Sequence, residues 1–368
     1  MNNSFFPLLE KLTIIIPTYK RQIFAIRCMQ YWSGKKISII ILDGSKYSID
    51  IKILNKFEKN VTYYHNPIGY YERILSAINL IKTDYVLMGC DDDFYIPSAL
   101  NTCIKKLSEN TEVISCCGSA LGFDYKDGQI YGRDVYKNLN EINSLLDEDP
   151  KDRIKKHFLN YEQSHFYAVC RSKIWKIAAK TIFSKEYSCY SIHELQFEFL
   201  LTFAGKSIII PELMWLRSDE NHPIRDISPS LKRSNTMINW WYDKKYIKEK
   251  ESFITRMNNT SLLINEFNNS SSIINVEEGI NYFLEFSKEQ KDGFFYSFMI
   301  KVLRIFPRFF KDKVKKIIKN LTHYFKKKIT LKDLAKLFKL TGIHIDFYGI
   351  ESIYQSIYSF YKKKKNSS

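Results

Sequence analysis

The segment Tyr85-Val-Leu-Met-Gly-Cys-Asp-Asp-Asp-Phe94 carries the densest chemistry in this chain. An apolar run of strand length ends abruptly in Asp91, Asp92 and Asp93. Adjacent carboxylates repel one another, and burying one without a partner is costly. A divalent cation at the strand end relieves both penalties. Oxygen-only ligation suits Mg²⁺ or Mn²⁺, which share a few carboxylates with substrate phosphates. The competing reading of the three residues alone is a solvated acidic turn.

Such a cluster acts only if other elements bring polar groups to the same edge, and the first half of the chain alternates strand and helix signals. Residues 12–16 are a short β-branched run before Pro17, and residues 22–33 space apolar groups as a helix does, with Gly34 just beyond. Residues 37–42 form a second buried strand ending at Asp43-Gly44-Ser45, and 61–64 a third before Asn66-Pro67. A helical pattern over 70–82, a strand at 85–90, a helix opened by Pro97 and running through Leu107, and a strand at 113–117 follow. Continuous apolar strands alternating with helices predict an α/β fold whose mostly parallel sheet is covered on both faces. Ligands of such sheets bind beyond the carboxyl ends of the strands. The clusters at 17–21, 43–45 and 91–93 all fall there.

The middle, 120–190, gives little regular signal. Residues 191–204 then read as a helix closed by Gly205, followed by a strand at 207–210. Beyond Pro229, helical patterns are interrupted by an Asn/Ser-rich stretch, 258–272, which reads as a linker or exposed loop. The expected organisation is a catalytic domain over 1–228, a helical connection and linker over 229–275, and a basic helical region over 276–368.

Composition narrows the classes. The 368 residues are 45% hydrophobic and 15% aromatic, enough for a sizeable core and against disorder. No apolar run reaches the ~18 residues of a spanning helix. The opening residues lack the pattern of a signal peptide. Seven cysteines without framework spacing predict reduced thiols and a cytoplasmic protein. The net charge of +16 is concentrated after residue 300, where 18 Lys/Arg stand against 4 Asp/Glu, leaving the rest near +2. Chemistry is thus assigned to the first part and electrostatic attachment to the last.

Taken together, these residues resemble the inverting nucleotide-sugar glycosyltransferases of the GT-A fold, family 2, over roughly residues 12–225. Thr13-Ile-Ile-Ile-Pro-Thr-Tyr-Lys-Arg21 is similar to that family's opening strand and Pro-Thr-Tyr/Phe-x-Arg turn. Leu42-Asp43-Gly44-Ser45 resembles its Asp-Asp-Gly-Ser motif with the first Asp replaced. Asp91–Asp93 stand where its Asp-x-Asp motif stands, and His193-Glu194 where it has a Glu-Asp pair.

The resemblance implies roles. Asp43 would hydrogen-bond the donor's base or ribose, with Gly44 permitting the turn, unless the pair is an ordinary Asp-Gly turn. Pro17, Thr18 and Tyr19 would line the base pocket, and Arg21 would meet phosphate or simply open the next helix. A literal reading of Asp-x-Asp takes Asp91 and Asp93, whereas aligning Pro97 with the family's proline puts Cys90 first and Asp92 last. The latter makes Asp92 the main metal ligand, Asp93 a supporting one, and directs Asp91 to ribose or metal. His222 would supply a third ligand or a phosphate contact, or stand in an exposed loop. Glu194 would be the general base, a carboxylate favoured at a helix start, or only a helix cap. Glu198, one turn on, is its rival.

No Gln-x-x-Arg-Trp element accompanies Trp240-Trp241, so one sugar per acceptor is expected. Residues 302–325 mix apolar groups at helical spacing with lysines and arginines. They predict either packing against neighbouring helices or docking on an anionic inner-membrane surface, where lipid-linked acceptors reside. No nucleic-acid module is visible. The expected partners are a nucleotide-sugar donor and a glycan or lipid-linked acceptor. Competing functions are a sugar nucleotidyltransferase, a transferase of CDP-activated polyol phosphate, and a catalytically silent scaffold.

Overall fold

A computed structural model describes residues 6–136, 139, 141, 143–162, 164–221, 236–291 and 329–366. The first repeats are β1 (Leu12–Thr18), α1 (Gln22–Trp32), β2 (Ser38–Asp43), α2 (Ile51–Leu54), β3 (Val61–His65) and α3 (Tyr70–Ala77). Next come β4 (Tyr85–Met88), β5 (Phe94–Tyr95), α4 (Pro97–Glu109), β6 (Val113–Lys126) and β7 (Gln129–Asp134). They are followed by α5 (Pro150–Leu159), β8 (Val169–Arg171), α6 (Ser172–Phe183), α7 (Ile192–Ala204) and β9 (Lys206–Ser218). Helices α8 (Met237–Tyr242), α9 (Ile247–Asn268), α10 (Val276–Lys291), α11 (Leu331–Leu340) and α12 (Phe347–Asn366) complete the described chain.

The strands form one sheet in the order β3-β2-β1-β4-β8-β6-β9-β5, with β7 paired to β6. The first four run parallel, as do β6 and β9, while β8 is antiparallel to both its neighbours. This is the mostly parallel α/β GT-A arrangement expected. Every residue from Leu12 to Ile16 is buried, as are Ile39 to Leu42 and Tyr85 to Met88, because helices cover both faces of these strands. Register then gathers the polar ends. Thr18 pairs with Asp43 across β1 and β2, and Ile15 with Met88 across β1 and β4. The residues that follow Met88 therefore emerge beside Thr18 and Asp43.

Several elements depart from their expected limits. β1 continues through Pro17 to Thr18, since pairing with β2 holds to the strand end. β6 and β9 run to 14 and 13 residues. Their pairing shifts register between Gly118 and Ala120, where β9 kinks around Pro211. The reading of 258–272 as linker or loop is corrected for its first eleven residues, which continue α9 to Asn268. Phe253, Met257, Thr260 and Ile264 recur at helical spacing and bury one face, which packs on α6 and α7, while Asn258 and Asn259 face outward. Asn269, at φ +52°, ends the helix in the left-handed conformation that Asn tolerates.

Packing crosses the expected boundaries at 228 and 275. His344 adds to the β9 kink, accepting from Leu213 N (2.9 Å) and donating to the Pro211 carbonyl (2.7 Å). On α12, Phe360 meets Phe24 of α1 at 5.2 Å and Tyr361 stacks on Tyr125 at 4.0 Å. The stretch 302–325 lies outside the described residues. No helix among the described residues is long and apolar enough to cross a membrane.

Candidate active site

Three strand ends and one returning segment build the site. After β1, the chain turns sharply at Lys20, whose φ of +57° is unusual for a residue with a side chain. The turn is held by a bond from Lys20 N to Ser45 Oγ (2.8 Å) and brings Arg21 over the acidic run. Arg21 bridges Asp91 and Asp92, donating through two nitrogens to Asp91 and through Nη1 to Asp92 Oδ2 at 3.3 Å. Thr18 Oγ1 donates to Asp91 Oδ2 at 2.6 Å.

The three carboxylates are thereby sorted. Both Asp91 oxygens are taken by Thr18 and Arg21. Both Asp93 oxygens accept hydrogen bonds as well, from Trp215 Nε1 (2.9 Å) and Ser218 N (2.8 Å), which tie it to β9. Asp92 shares Oδ2 between Arg21 and Asn221 Nδ2 (2.8 Å), and its Oδ1 takes no hydrogen bond among the described residues. That donor set fits a hard divalent ion bound by one or two carboxylates, with its other positions left to phosphate and water. Cys90 fits less well, because burial, then Asp93 and Asp92, push its thiol well above the usual range and keep it protonated.

Burial and the charge of Asp92 push Asp91 up to about 7, with Arg21 opposing. The same two causes raise Asp93 to about 7. Burial pulls Arg21 down, but Asp91 and Asp92 hold it above its ordinary value. The site thus concentrates negative charge that one arginine only partly compensates.

Asp43 stands fully buried at the neighbouring strand end. It accepts from Ser45 N (2.8 Å), Gln22 Nε2 (2.5 Å) and Tyr63 Oη (2.6 Å), a tightly fixed carboxylate rather than a loose turn residue. Arg73 of α3 lies against Gly44 so closely that a Cβ there would fall 1.2 Å from its Nη1. A 270 Å³ cavity beside these residues is lined by Leu42, Tyr64, His65, Asn66, Arg73 and Ser76. Pro17 and Tyr19, at the end of β1, are half-buried. The larger 690 Å³ groove lies elsewhere, between α6 and α9.

Glu194 occupies the first turn of α7 and is half-buried. Its carboxylate and that of Asp93 act on the same two phenols: burial, then Asp93, Cys90 and Glu194, raise Tyr136, and the same groups raise Tyr167. Both rings pack on Trp215, at 5.0 and 4.3 Å. Trp215, which donates to Asp93, thus carries an aromatic floor beside the acidic rim. His193, adjacent in sequence, turns inward: it is 1% exposed, and its Nδ1 lies 2.5 Å from the Tyr190 carbonyl. Glu198, the rival on the same helix, is enclosed by His157 and His165 and is not part of the floor. His222 lies outside the described residues.

Sequence reading missed Arg27, Arg73, Trp215, Glu220 and Asn221. Arg27 is 1% exposed in α1, pairs with Glu220 (2.7 Å) and donates to the Asp92 carbonyl (2.8 Å). Its signal was available: a charged residue on the buried stripe of Ala25, Cys28 and Met29 needs a buried partner.

Residues 13–177 match the family model described as glycosyl transferase family 2. A search of curated protein sequences finds no match. Among solved structures the chain is similar to S. aureus TarS, with 10% identity, a TM-score of 0.42, and coverage of 68% of this chain and 48% of that one. It thus spans about half the length of that relative. It is also similar to TarS 1–349 in complex with UDP-GlcNAc, at 11% identity and a TM-score of 0.46, covering 77% of this chain and 73% of that one. The complex of TarS 1–349 with UDP gives 10% identity and a TM-score of 0.45, covering 97% and 92%.

Proposed function

From the premise that residues 13–177 form a glycosyl transferase family 2 domain, we propose that the protein moves one sugar from a nucleotide-sugar donor to an acceptor hydroxyl with inversion. The observation that carries this reading is the gathering of Arg21, Asp43, Asp91, Asp92 and Asp93 at neighbouring strand ends, a polar rim suited to a nucleoside diphosphate and a cation. Glu194 takes the proton of the acceptor hydroxyl as its oxygen attacks the anomeric carbon. The bond from that carbon to the nucleoside diphosphate breaks on the opposite face, and the diphosphate leaves. Asp92, with Asp91 and Asp93 beside it and His222 as a third ligand, would hold Mn²⁺ or Mg²⁺, which neutralises the departing diphosphate as a Lewis acid. Arg21 turns from the acidic pair to phosphate. Asp43, Tyr19, Thr18, Pro17 and Arg73 hold the nucleoside, with Asp43 accepting from base or ribose.

The acceptor is read as a surface glycan or lipid-linked sugar, reached from the inner face of a membrane. Support comes from the charge concentrated after residue 300 and from α11, which exposes Leu337 and Leu340 among Lys332, Lys336 and Lys339. The catalytic domain is assigned to 1–228, the helical connection to 229–275 and the attachment region to 276–368.

A thermal-shift screen of UDP-, GDP-, CMP- and CDP-linked donors, with and without Mn²⁺, tests the reading. Metal-dependent stabilisation by one nucleotide class is expected. CDP-linked polyols acting in place of sugars would move the assignment to polyol-phosphate transfer, and no stabilisation by any donor overturns it. Flotation with anionic vesicles at low salt tests the membrane contact.

A further inference from the structure

A second cluster of ligating groups lies away from the acidic rim. His157 ends α5, His165 sits in the segment before β8, and Glu198 occupies the middle of α7, all of them buried. His157 Nε2 and His165 Nδ1 each lie 2.9 Å from Glu198 Oε2. One ligating atom from each residue falls within 4.8 Å of the others. The contact from His157 nevertheless misses hydrogen-bond geometry, and His157 Nε2 and His165 Nε2 are both buried without a hydrogen-bond partner among the described residues. His165 Nδ1 hydrogen-bonds Glu198 Oε2, so the nitrogen left unsatisfied beside that oxygen is His157 Nε2, which a cation shared with the carboxylate would complete.

We propose that His157, His165 and Glu198 bind one divalent transition-metal ion of the zinc class, in a structural site that ties α7 to α5. Imidazole nitrogen with carboxylate oxygen is a donor set suited to zinc, whereas the oxygen-only rim suits Mg²⁺ or Mn²⁺. The Glu198 carboxylate is oriented from behind by the N–H groups of His165 (3.1 Å) and Phe166 (3.0 Å), acting on Oε1. A 110 Å³ cavity whose lining includes His157, Asn160, Glu162 and Ser164 lies on the His157 side of the cluster and has room for a water as fourth ligand. The site stands independently of the transfer reaction, although it would fix the helix that carries Glu194.

The test is metal analysis of the purified full chain, followed by chelation and readdition. About one zinc per chain is expected, with Zn²⁺ but not Mg²⁺ restoring the melting temperature after chelation. Asp92→Asn keeps the zinc, and the double variant His157→Gln/His165→Asn loses it. Should that variant fail to fold, Co²⁺ substitution of the unaltered chain replaces it, and visible absorption bands of nitrogen–oxygen ligation are expected. A full chain that neither contains zinc nor gains stability from it, zinc retained by the double variant, or a Co²⁺ form without such bands each overturns the proposal.

Discussion

Glu194 and Glu198 stand one helical turn apart on α7 and meet opposite surroundings. Glu198 is fully buried, and although burial raises it, the neighbouring His157 and His165 rings hold its carboxyl down at about 2. Glu194 is half-buried in the first turn of the helix. A carboxylate enclosed in the interior and held by the His165 ring and the N–H groups of His165 and Phe166 is poorly placed to take a proton from a substrate hydroxyl. That leaves Glu194, at the half-buried start of the helix, as the carboxylate we assign to that task.

Glu194→Gln is therefore expected to lower kcat by roughly 10²–10⁴-fold while donor affinity stays near that of the parent. Steady-state kinetics with a donor titration separate the two effects. Near-normal turnover would move the role to another carboxylate.

The adjacent carboxylates of the rim should separate by phenotype. Asp92→Asn is expected to abolish the metal-dependent part of donor stabilisation with little change in the fold. Asp93→Asn leaves the Ser218 N–H or Trp215 Nε1–H facing an amide donor and should destabilise by about 1–3 kcal/mol. Urea unfolding of both variants, alongside Mn²⁺ titration with donor, distinguishes them.

Arg27 links α1 to the rim through Glu220 and the Asp92 carbonyl, and its guanidinium lies about equally far, 4.9–5.0 Å, from the rings of Phe24, Phe94 and Phe360. Arg27→Met leaves Glu220 buried without its cation. Breaking such a pair from one side typically costs about 3–5 kcal/mol. Chemical denaturation should show that loss, and the double variant Arg27→Met/Glu220→Gln should recover part of it.

At Gly44 the constraint is contact rather than conformation. A methyl group there displaces the Arg73 guanidinium, the movable end of a long side chain. Gly44→Ala should raise the donor KM with little change in kcat or melting temperature. A lowered melting temperature with unchanged KM would show that Arg73 serves packing alone.

His193 should make stability depend on pH. Burial lowers its pKa from 6.5 to about 4, so the unfolded chain takes up the proton first. Its contribution is whole above the unfolded value and declines as pH falls from about 6.5 to about 4, by roughly 3 kcal/mol in all. His193→Asn, whose amide can still donate to the Tyr190 carbonyl, should flatten the melting-temperature profile across that window.

Periodicity and punctuation were enough for the sequence to reveal the strand–helix repeats through residue 117 and the strand-end clusters at Thr18, Asp43 and Asp91–Asp93. Both signals are local: a buried parallel strand must be apolar throughout, and polar residues must wait for its end. The same reasoning failed at 258–268, where Asn and Ser suggested a loop. They belong to a helix held by Phe253, Met257 and Ile264, with Asn258 and Asn259 exposed but Ser261 and Asn265 buried, and composition does not distinguish helix from loop.

Chain order thus determined which carboxylates gather at the edge of the sheet, because strand polarity alone delivers them there. It could not decide their individual duties. Asp91, Asp92 and Asp93 are identical in type and adjacent, and only the partners brought from α1, β9 and the segment after it separate them. The division between Glu194 and Glu198 likewise arises from α5 and the residues before β8, some 30–40 positions away. Environment sets the protonation and reach of a side chain, and environment is a property of packing between segments that the linear order does not display.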